Sequence, residues 1–428
     1  MKLQTPKGTR DFLPKDMLLR RKVTDILASI YRIFGFQEWD GPAFEYLETL
    51  SRKGGELVAN EIYSFEDKSK RKLGLRFELT TSIARIIANN PNIKKPLKVF
   101  NIGKVWRYER PQTGRFREFL QSDTDIFGSS SMTCEIDLFL MSVAALKRID
   151  LGEYVILLNN RKILEAQLRI AGVSLDQQVD ALRALDKLSK IGKDGVRDEF
   201  EKRGINQEKF NKVIAFIDLD GDNIQRLRKT KELLKTDNVG IEGVEELEKI
   251  LELSKSVGLS DSIVIDLSLV RGLDYYTGPI FEIRSKERPE VGSFAGGGRY
   301  DNLIQLFGGQ PTPAVGISFG VERLIEIVSS DKKLEKSFSG VKVFVGNVSP
   351  ETLAIAMKAT QQLREAGISA EFDLFGRNLS KQLAHVNANQ IPYCFVIFSE
   401  KEQKLKEMTT GKEEILSVDE VIKKILSM

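Results

Sequence analysis

At 428 residues the chain is longer than one ordinary hydrophobic core supports, so two or three domains are expected. Its 41% hydrophobic and 29% charged residues are those of a folded globular protein, its net charge of +4 is weaker than a dedicated nucleic-acid binder carries, and no apolar stretch reaches the roughly 18 to 20 residues that cross a bilayer. A single histidine, His385, and two scattered cysteines, Cys134 and Cys394, argue against a Ser-His-Asp triad, a Cys-His pair, a zinc site or a disulfide framework.

The amino terminus, Met-Lys-Leu-Gln-Thr-Pro-Lys-Gly, lacks the apolar core of a signal peptide, so a cytoplasmic location with no membrane partner is expected. From Met17 to Phe34 apolar residues at 19, 23, 26, 27, 30 and 34 mark one buried helical face, which Gly35 ends. An extended segment with Pro42 follows. Residues 97–127 read as a long hairpin whose tip, Arg110-Pro-Gln-Thr-Gly-Arg115, carries turn residues and cations. Residues 161–258, dense in Leu, Lys, Glu and Asp at helical spacing, read as a helical insertion within a β-rich domain.

The run Ile263 to Val270 alternates as a half-buried strand does, and Ile280 to Ile283 resumes the alternation. Between them stand Arg271, Asp274, Tyr275 and Tyr276, more recognition chemistry than a turn needs. After a polar stretch from Ser329 to Ser339, strands at 341–345, 368–372 and 393–398 alternate with helices at 350–366 and 378–390. That order predicts a mostly parallel α/β domain. His385 falls in the second of these helices, with a surface or packing role.

Arginines recur on separate segments beside glycines or aromatics: Trp106-Arg107-Tyr108-Glu109, Arg271-Gly272 and Gly320-Val-Glu-Arg323. Guanidinium forks bind phosphate oxygens bidentately and keep their charge at any pH. The first and last have the motif 2 and motif 3 forms of class II aminoacyl-tRNA synthetases. Leu269 to Glu282 and Ala295-Gly-Gly-Gly-Arg-Tyr-Asp301 resemble the two histidine-specific motifs of histidyl-tRNA synthetases, and the likeness extends over nearly the whole chain.

The resemblance implies an α+β protein: a class II antiparallel sheet flanked by helices (residues 1–160 and 259–328), a helical insertion (161–258) and a carboxy-terminal α/β anticodon-binding domain (340–428). It implies a homodimer formed by the first helix and the segment ending near Pro42. The reaction it implies joins histidine to ATP, with Mg2+, as histidyl-adenylate, and then transfers the acyl group to histidine tRNA. Arg107, Arg271 and Arg323 would be catalytic, with Arg107, Glu109, Arg115 and Arg323 on ATP. Glu78, Thr80 and Gln121 would receive the α-amino group of histidine, and Asp125, Tyr275, Tyr276 and Tyr300 the imidazole, beside Arg271. The amino-terminal Pro6 to Pro14 segment, Gln112 and Arg117 would meet the tRNA acceptor end, and Arg377 and Lys381 would contact tRNA in the last domain. Phe77 stands where the family commonly has proline, and Asp125 is shorter than the glutamate of many members. A synthetase-like regulatory subunit of ATP phosphoribosyltransferase, the rival reading, lacks the terminal domain and usually part of the arginine set; an enzyme for threonine or glycine would lack the two histidine motifs.

Overall fold

Ten residues from Leu97 to Trp106 pair antiparallel with ten from Glu118 to Phe127, Val99 opposite Asp125 and Gly103 opposite Gln121. This is the hairpin expected from the alternation. The computed structural model describes residues 3–52, 60–110, 116–271, 275–289, 292–329 and 340–427. The hairpin tip with Gln112 and Arg115, and the stretch Gly272 to Asp274, lie outside them.

The chain forms two compact units, Met1–Asp11 with Arg20–Val328, and Phe12–Leu19 with Ser329–Met428. In chain order the strands of the first are β1 (Gln37–Glu38), β2 (Phe44–Tyr46), β3 (Ser64–Glu66), β4 (Lys72–Leu75), β5 (Leu97–Trp106), β6 (Glu118–Phe127), β7 (Tyr154–Asn160), β8 (Ile263–Ile265), β9 (Pro279–Ser285), β10 (Ser293–Arg299) and β11 (Ala314–Gly320). An eight-stranded sheet runs β1-β5-β6-β11-β10-β9-β7-β8, antiparallel throughout its interior and parallel only at β1–β5 and β7–β8. A small sheet, β2-β4-β3, stands apart in the hydrogen bonding.

Helices cover one another and the sheet. In α1 (Pro14–Ile33) Val23, Leu27 and Tyr31 are buried one turn apart, Tyr31 reaches Ser122 Oγ at 2.7 Å, and Gly35 ends the helix with φ +79°. Short α2 (Leu47–Ser51) and α3 (Thr80–Asn89) precede α4 (Thr133–Ile149), whose Phe139 packs edge-on against Phe281 of β9 at 4.9 Å. The region 161–258 is helical as expected: α5 (Arg161–Ile170), α6 (Leu175–Leu185), α7 (Leu188–Lys202), α8 (Gln207–Ile217), α9 (Asn223–Leu233) and α10 (Asn238–Ser256). Leu164, Leu182, Val196 and Phe200 from these helices join Ile83, Val270, Tyr276 and Tyr300 in one apolar cluster, so the insertion shares its core with the sheet. Truncating a residue such as the fully buried Phe200 to alanine is expected to cost about 3–5 kcal/mol. Helices α11 (Leu303–Leu306) and α12 (Val321–Ser329) close the unit.

One expectation fails. The strand read from Ile263 to Val270 stops at Ile265, because Asp266 turns the chain: its carboxylate accepts from the Ser268 N–H and Oγ, and its carbonyl from Leu269 N–H. Arg271 therefore stands on a loop well past the strand.

The second unit has β12 (Val343–Asn347), β13 (Ala370–Phe372), β14 (Tyr393–Ile397), β15 (Gln403–Glu407) and β16 (Glu413–Ile415), with α13 (Leu353–Glu365), α14 (Leu379–Ala388) and α15 (Val418–Leu426). Its order is β13-β12-β14-β15-β16. The first three strands are parallel, as expected, and the last two antiparallel, which the sequence did not predict. His385 lies on α14, near Glu371 at 3.2 Å and against Phe344, a packing role.

Candidate active site

A cavity of about 910 Å³ opens on the large sheet of the first unit. β6 supplies Gln121, Asp123 and Asp125, which line it at every second position, as pleating requires. Gln121 Nε2 donates to Ser318 Oγ at 2.9 Å and to Asp123 at 3.2 Å, while its buried Oε1 has no hydrogen-bond partner among the described residues. That acceptor suits an incoming N–H donor. Glu78, 4% exposed, and Thr80 enter where β4 gives way to α3.

Tyrosines form the next wall. Tyr300 donates its hydroxyl to Asp125 and meets Tyr275 edge-on at 5.5 Å; the Tyr275 and Tyr276 rings lie 4.6 Å apart. Burial, and after it the Asp125 carboxylate, pushes the Tyr300 phenol well above its ordinary value; burial does the same to Tyr275 and raises Tyr276 against the opposing pull of Arg271. All three therefore keep their protons at neutral pH.

The three arginines reach the cavity from separate elements. Arg107, just beyond β5, donates from Nε to Phe77 O at 3.0 Å and lies 5.2 Å over the Phe119 ring. Arg323, in the first turn of α12, donates to Ser293 O. Arg271 donates from Nη1 to Glu282 Oε1 at 2.9 Å, and Arg284 holds the other carboxylate oxygen at 2.7 Å. Burial would weaken the charge on Arg271, but its surroundings, the Glu282 carboxylate it pairs with among them, outweigh burial and raise its pKa, so it stays a cation.

The glycine run of β10 makes this crowding possible. A Cβ at Gly296 would stand 2.5 Å from Arg271 Nη1, and one at Gly298 2.8 Å from the Tyr276 ring. The next residue, Arg299, is 2% exposed and turns away from the cavity. It pairs with Glu135 at 2.8 and 2.9 Å and donates to Ser129 O and Ser131 O, anchoring the end of β10 from which Tyr300 enters the site.

Arg107, Glu109, Arg271, Arg323, Glu78, Thr80, Gln121, Asp125, Tyr275, Tyr276 and Tyr300 thus line one cavity. Arg115 and Gln112 lie outside the described residues. Arg117 is committed within the fold: Nε donates to Glu109 O at 2.9 Å and its guanidinium lies 4.4 Å over Tyr108. Arg377 and Lys381 belong to the second unit, where Arg377 pairs with Asp373 at 2.5 Å and Lys381 stands in the first turn of α14, capped by Asn378.

The sequence reading missed Asp123, Glu282, Arg284 and the insertion's share of the site. Asp123 was legible from the period of two that joins Gln121 to Asp125. Leu185, Asp186, Leu188, Ser189 and Lys190, at the junction of α6 and α7, also line the cavity, and no local motif marks them. Among the described residues no group of three His, Cys, Asp or Glu side chains could hold a metal ion by itself.

Comparison with known proteins agrees with this geometry. The histidyl-tRNA synthetase family model matches residues 8–324, and an anticodon-binding domain model matches residues 342–428. The chain is 35% identical to the histidine–tRNA ligase of Phocaeicola vulgatus, covering 97% of each chain, and 38% identical to that of Korarchaeum cryptofilum, covering 89% of this chain and 88% of the relative. The crystal structure of histidyl-tRNA synthetase from Nostoc sp. PCC 7120 superposes with a TM-score of 0.87 at 29% identity, covering 100% of this chain and 99% of that one. By family model, curated relatives and fold alike, the chain belongs to the histidyl-tRNA synthetase family, aminoacyl-tRNA synthetases that ligate histidine to tRNA at the expense of ATP.

Proposed function

We propose that the 910 Å³ cavity is where this ligase forms and transfers the histidyl group, with the labour divided among its side chains. Glu78, Thr80 and Gln121 take the α-amino group of histidine. Asp125 and Tyr300, with Tyr275 and Tyr276, take the imidazole, whose donor and acceptor nitrogens let buried partners reject amino acids that lack either. Arg107 and Arg323 hold ATP phosphates, and Glu109 and Arg115 also bind ATP.

In the first step a carboxylate oxygen of histidine attacks the α-phosphorus, the bond to the β-phosphate side breaks, and pyrophosphate leaves. No proton moves, so no general base is needed. Arg271 stabilises the charge that builds on the α-phosphoryl group, and the shared cavity aligns the two reactants. In the second step a terminal ribose hydroxyl of the tRNA attacks the acyl carbon, the bond from that carbon to the phosphate oxygen breaks, and AMP leaves, its phosphate taking up the hydroxyl proton.

Mg2+ typically keeps several waters and binds through one or two carboxylates plus substrate phosphates. Among the carboxylates that line the cavity, Glu109, two residues from Arg107, would be the protein's ligand, and the ion would neutralise phosphate charge. Residues 1–160 and 259–328 form the catalytic domain, 161–258 the insertion and 340–428 the anticodon-binding domain. Gln112 and Arg117 face the acceptor end of tRNA, and Arg377 and Lys381 the anticodon side. The enzyme acts as a cytoplasmic homodimer through α1 and the segment after it; no helix among the described residues is long and apolar enough to cross a membrane.

What supports this reading above all is that three arginines far apart in sequence line the same cavity as the Glu78, Gln121, Asp125 and Tyr300 set. ATP–pyrophosphate exchange across the twenty amino acids tests it: histidine alone should support exchange, and exchange with threonine or glycine but not histidine would overturn it.

A further inference from the structure

We propose that the amino-terminal segment Lys7 to Arg10 braces the nucleotide side of the active site, and that Arg10 is a positioning residue for ATP. This rests on the reading that Arg107 and Arg323 hold the ATP phosphates.

Glu322, immediately before Arg323 and part of the cavity wall, is the hub. Its Oε1 accepts from the Leu120 backbone N–H at 3.2 Å and from Arg20 Nη2 at 2.8 Å, and its Oε2 from Arg20 Nη1 at 2.6 Å and from Arg10 Nη2. One carboxylate therefore ties α12 to β6, to the body of α1 and to the amino-terminal segment. The Arg10 guanidinium also lies over the ring of Phe116, 3.7 Å from its centroid, and Phe116 lines the same cavity.

The backbone holds the segment in this position independently of Arg10. Arg117 N–H donates to Gly8 O at 2.8 Å and Arg117 Nη1 to Lys7 O at 3.4 Å. A turn closed by Thr9 N–H and Oγ1 on Pro6 O, with Gly8 at φ +86°, directs the chain into Arg10. Arg10 thus bridges the residue that follows the motif 2 hairpin tip and the residue that precedes the motif 3 arginine.

The two cations on Glu322 divide their work by burial. Arg20, 4% exposed, makes the two-pronged pair that the fold requires. The Arg10 side chain is 36% exposed, so its removal leaves Glu322 compensated by Arg20 and the fold intact. What it removes is the link between Phe116 and Glu322, the residue next to Arg323.

The test is Arg10→Ala, Arg10→Gln and Arg10→Lys in the full chain, with KM for ATP and for histidine measured separately by pyrophosphate exchange and KM for tRNA measured by charging. Arg10→Ala and Arg10→Gln should raise the KM for ATP about tenfold, the order given by loss of one charge-assisted hydrogen bond. The KM for histidine and the melting temperature should stay near wild type. Arg10→Lys should recover part of the loss, since an ammonium pairs with Glu322 without presenting a planar face to Phe116. Phe116→Leu, which removes the stack and keeps the ion pair, should shift the KM for ATP in the same direction even if Arg10 variants fold poorly. An unchanged KM for ATP in these variants, or a defect confined to tRNA, overturns the proposal. Arg323→Ala run alongside separates the two levels: if it too leaves the KM for ATP unchanged, the assignment of the nucleotide side is wrong; if it raises that KM while the Arg10 and Phe116 variants do not, only the role of Arg10 falls.

Discussion

Glu282 accepts Nη1 of Arg271 at 2.9 Å, and its second oxygen is held by Arg284 at 2.7 Å. A loop arginine outside any regular element is thereby fixed to the face of β9. Arg271→Ala should lower the rate of adenylate formation by about 10²- to 10³-fold, as loss of one preorganised charge in a transition-state site does. Arg271→Lys should regain only part, because a point ammonium lacks the planar fork. Single-turnover formation of the adenylate with both substrates saturating decides this, and a near wild-type rate for the alanine variant would remove Arg271 from the mechanism.

Glu282→Gln keeps the volume and loses the charge that aligns two arginines. The expected slowing of adenylate formation is about tenfold, the worth of one hydrogen bond to a charged group, and less than that of Arg271→Ala. The double variant should be no slower than Arg271→Ala alone, since Glu282 is argued to act through that arginine. Additive losses would show that Glu282 has its own contact with substrate.

Tyr300 stays protonated, because burial and then the Asp125 carboxylate raise its phenol well above the ordinary value. Tyr300→Phe should raise the KM for histidine about tenfold by removing a buried donor, and leave the KM for ATP unchanged. The defect should be the same from pH 6.5 to 8.5, whose upper edge lies about 1.5 units below the ordinary tyrosine value even before its upward shift. A defect that varies across this range would mean that another group carries the effect.

Arg299 and Glu135 are 2% and 0% exposed in their side chains and make two hydrogen bonds with each other. Arg299→Ala should cost about 3–5 kcal/mol, because it leaves a buried carboxyl without its partner. Replacing both residues, Arg299→Met with Glu135→Leu, should recover much of that stability, since an apolar pair of similar volume carries no desolvation penalty. Urea unfolding measures both. If the double variant is as unstable as the single, the hydrogen bonds to Ser129 O and Ser131 O, and not the ion pair, hold the end of β10.

Deleting residues 340–428 should spare pyrophosphate exchange and impair tRNA charging, because every side chain assigned to histidine and ATP lies before Val328. Circular dichroism would establish that the shortened chain is folded. Loss of exchange in a folded truncation would contradict the division of domains proposed above.

Local pattern made much of this protein legible before its structure. Alternation and apolar, β-rich runs placed β5, β6, β12 and β14, helical spacing placed α1 and the helices between residues 161 and 258, and the glycine-punctuated arginine motifs marked the site, because these signals depend only on a residue's near neighbours. The hairpin also fixed which residues of β6 share a face, so Gln121 and Asp125 could be paired from sequence. Tertiary structure decided the rest. Asp266 ended β8 early by capturing its own turn, which no alternation of apolar residues reveals. Arg299, inside a recognition motif, points into Glu135 and serves the fold, because only the packing of α4 on the sheet brings that carboxylate within reach. Glu282 and Arg284 became partners of Arg271, and Asp186 and Lys190 became walls of the cavity, through contacts across the sheet and from the insertion. Those contacts join residues far apart in the chain, and a sequence without its fold does not say which distant charges meet.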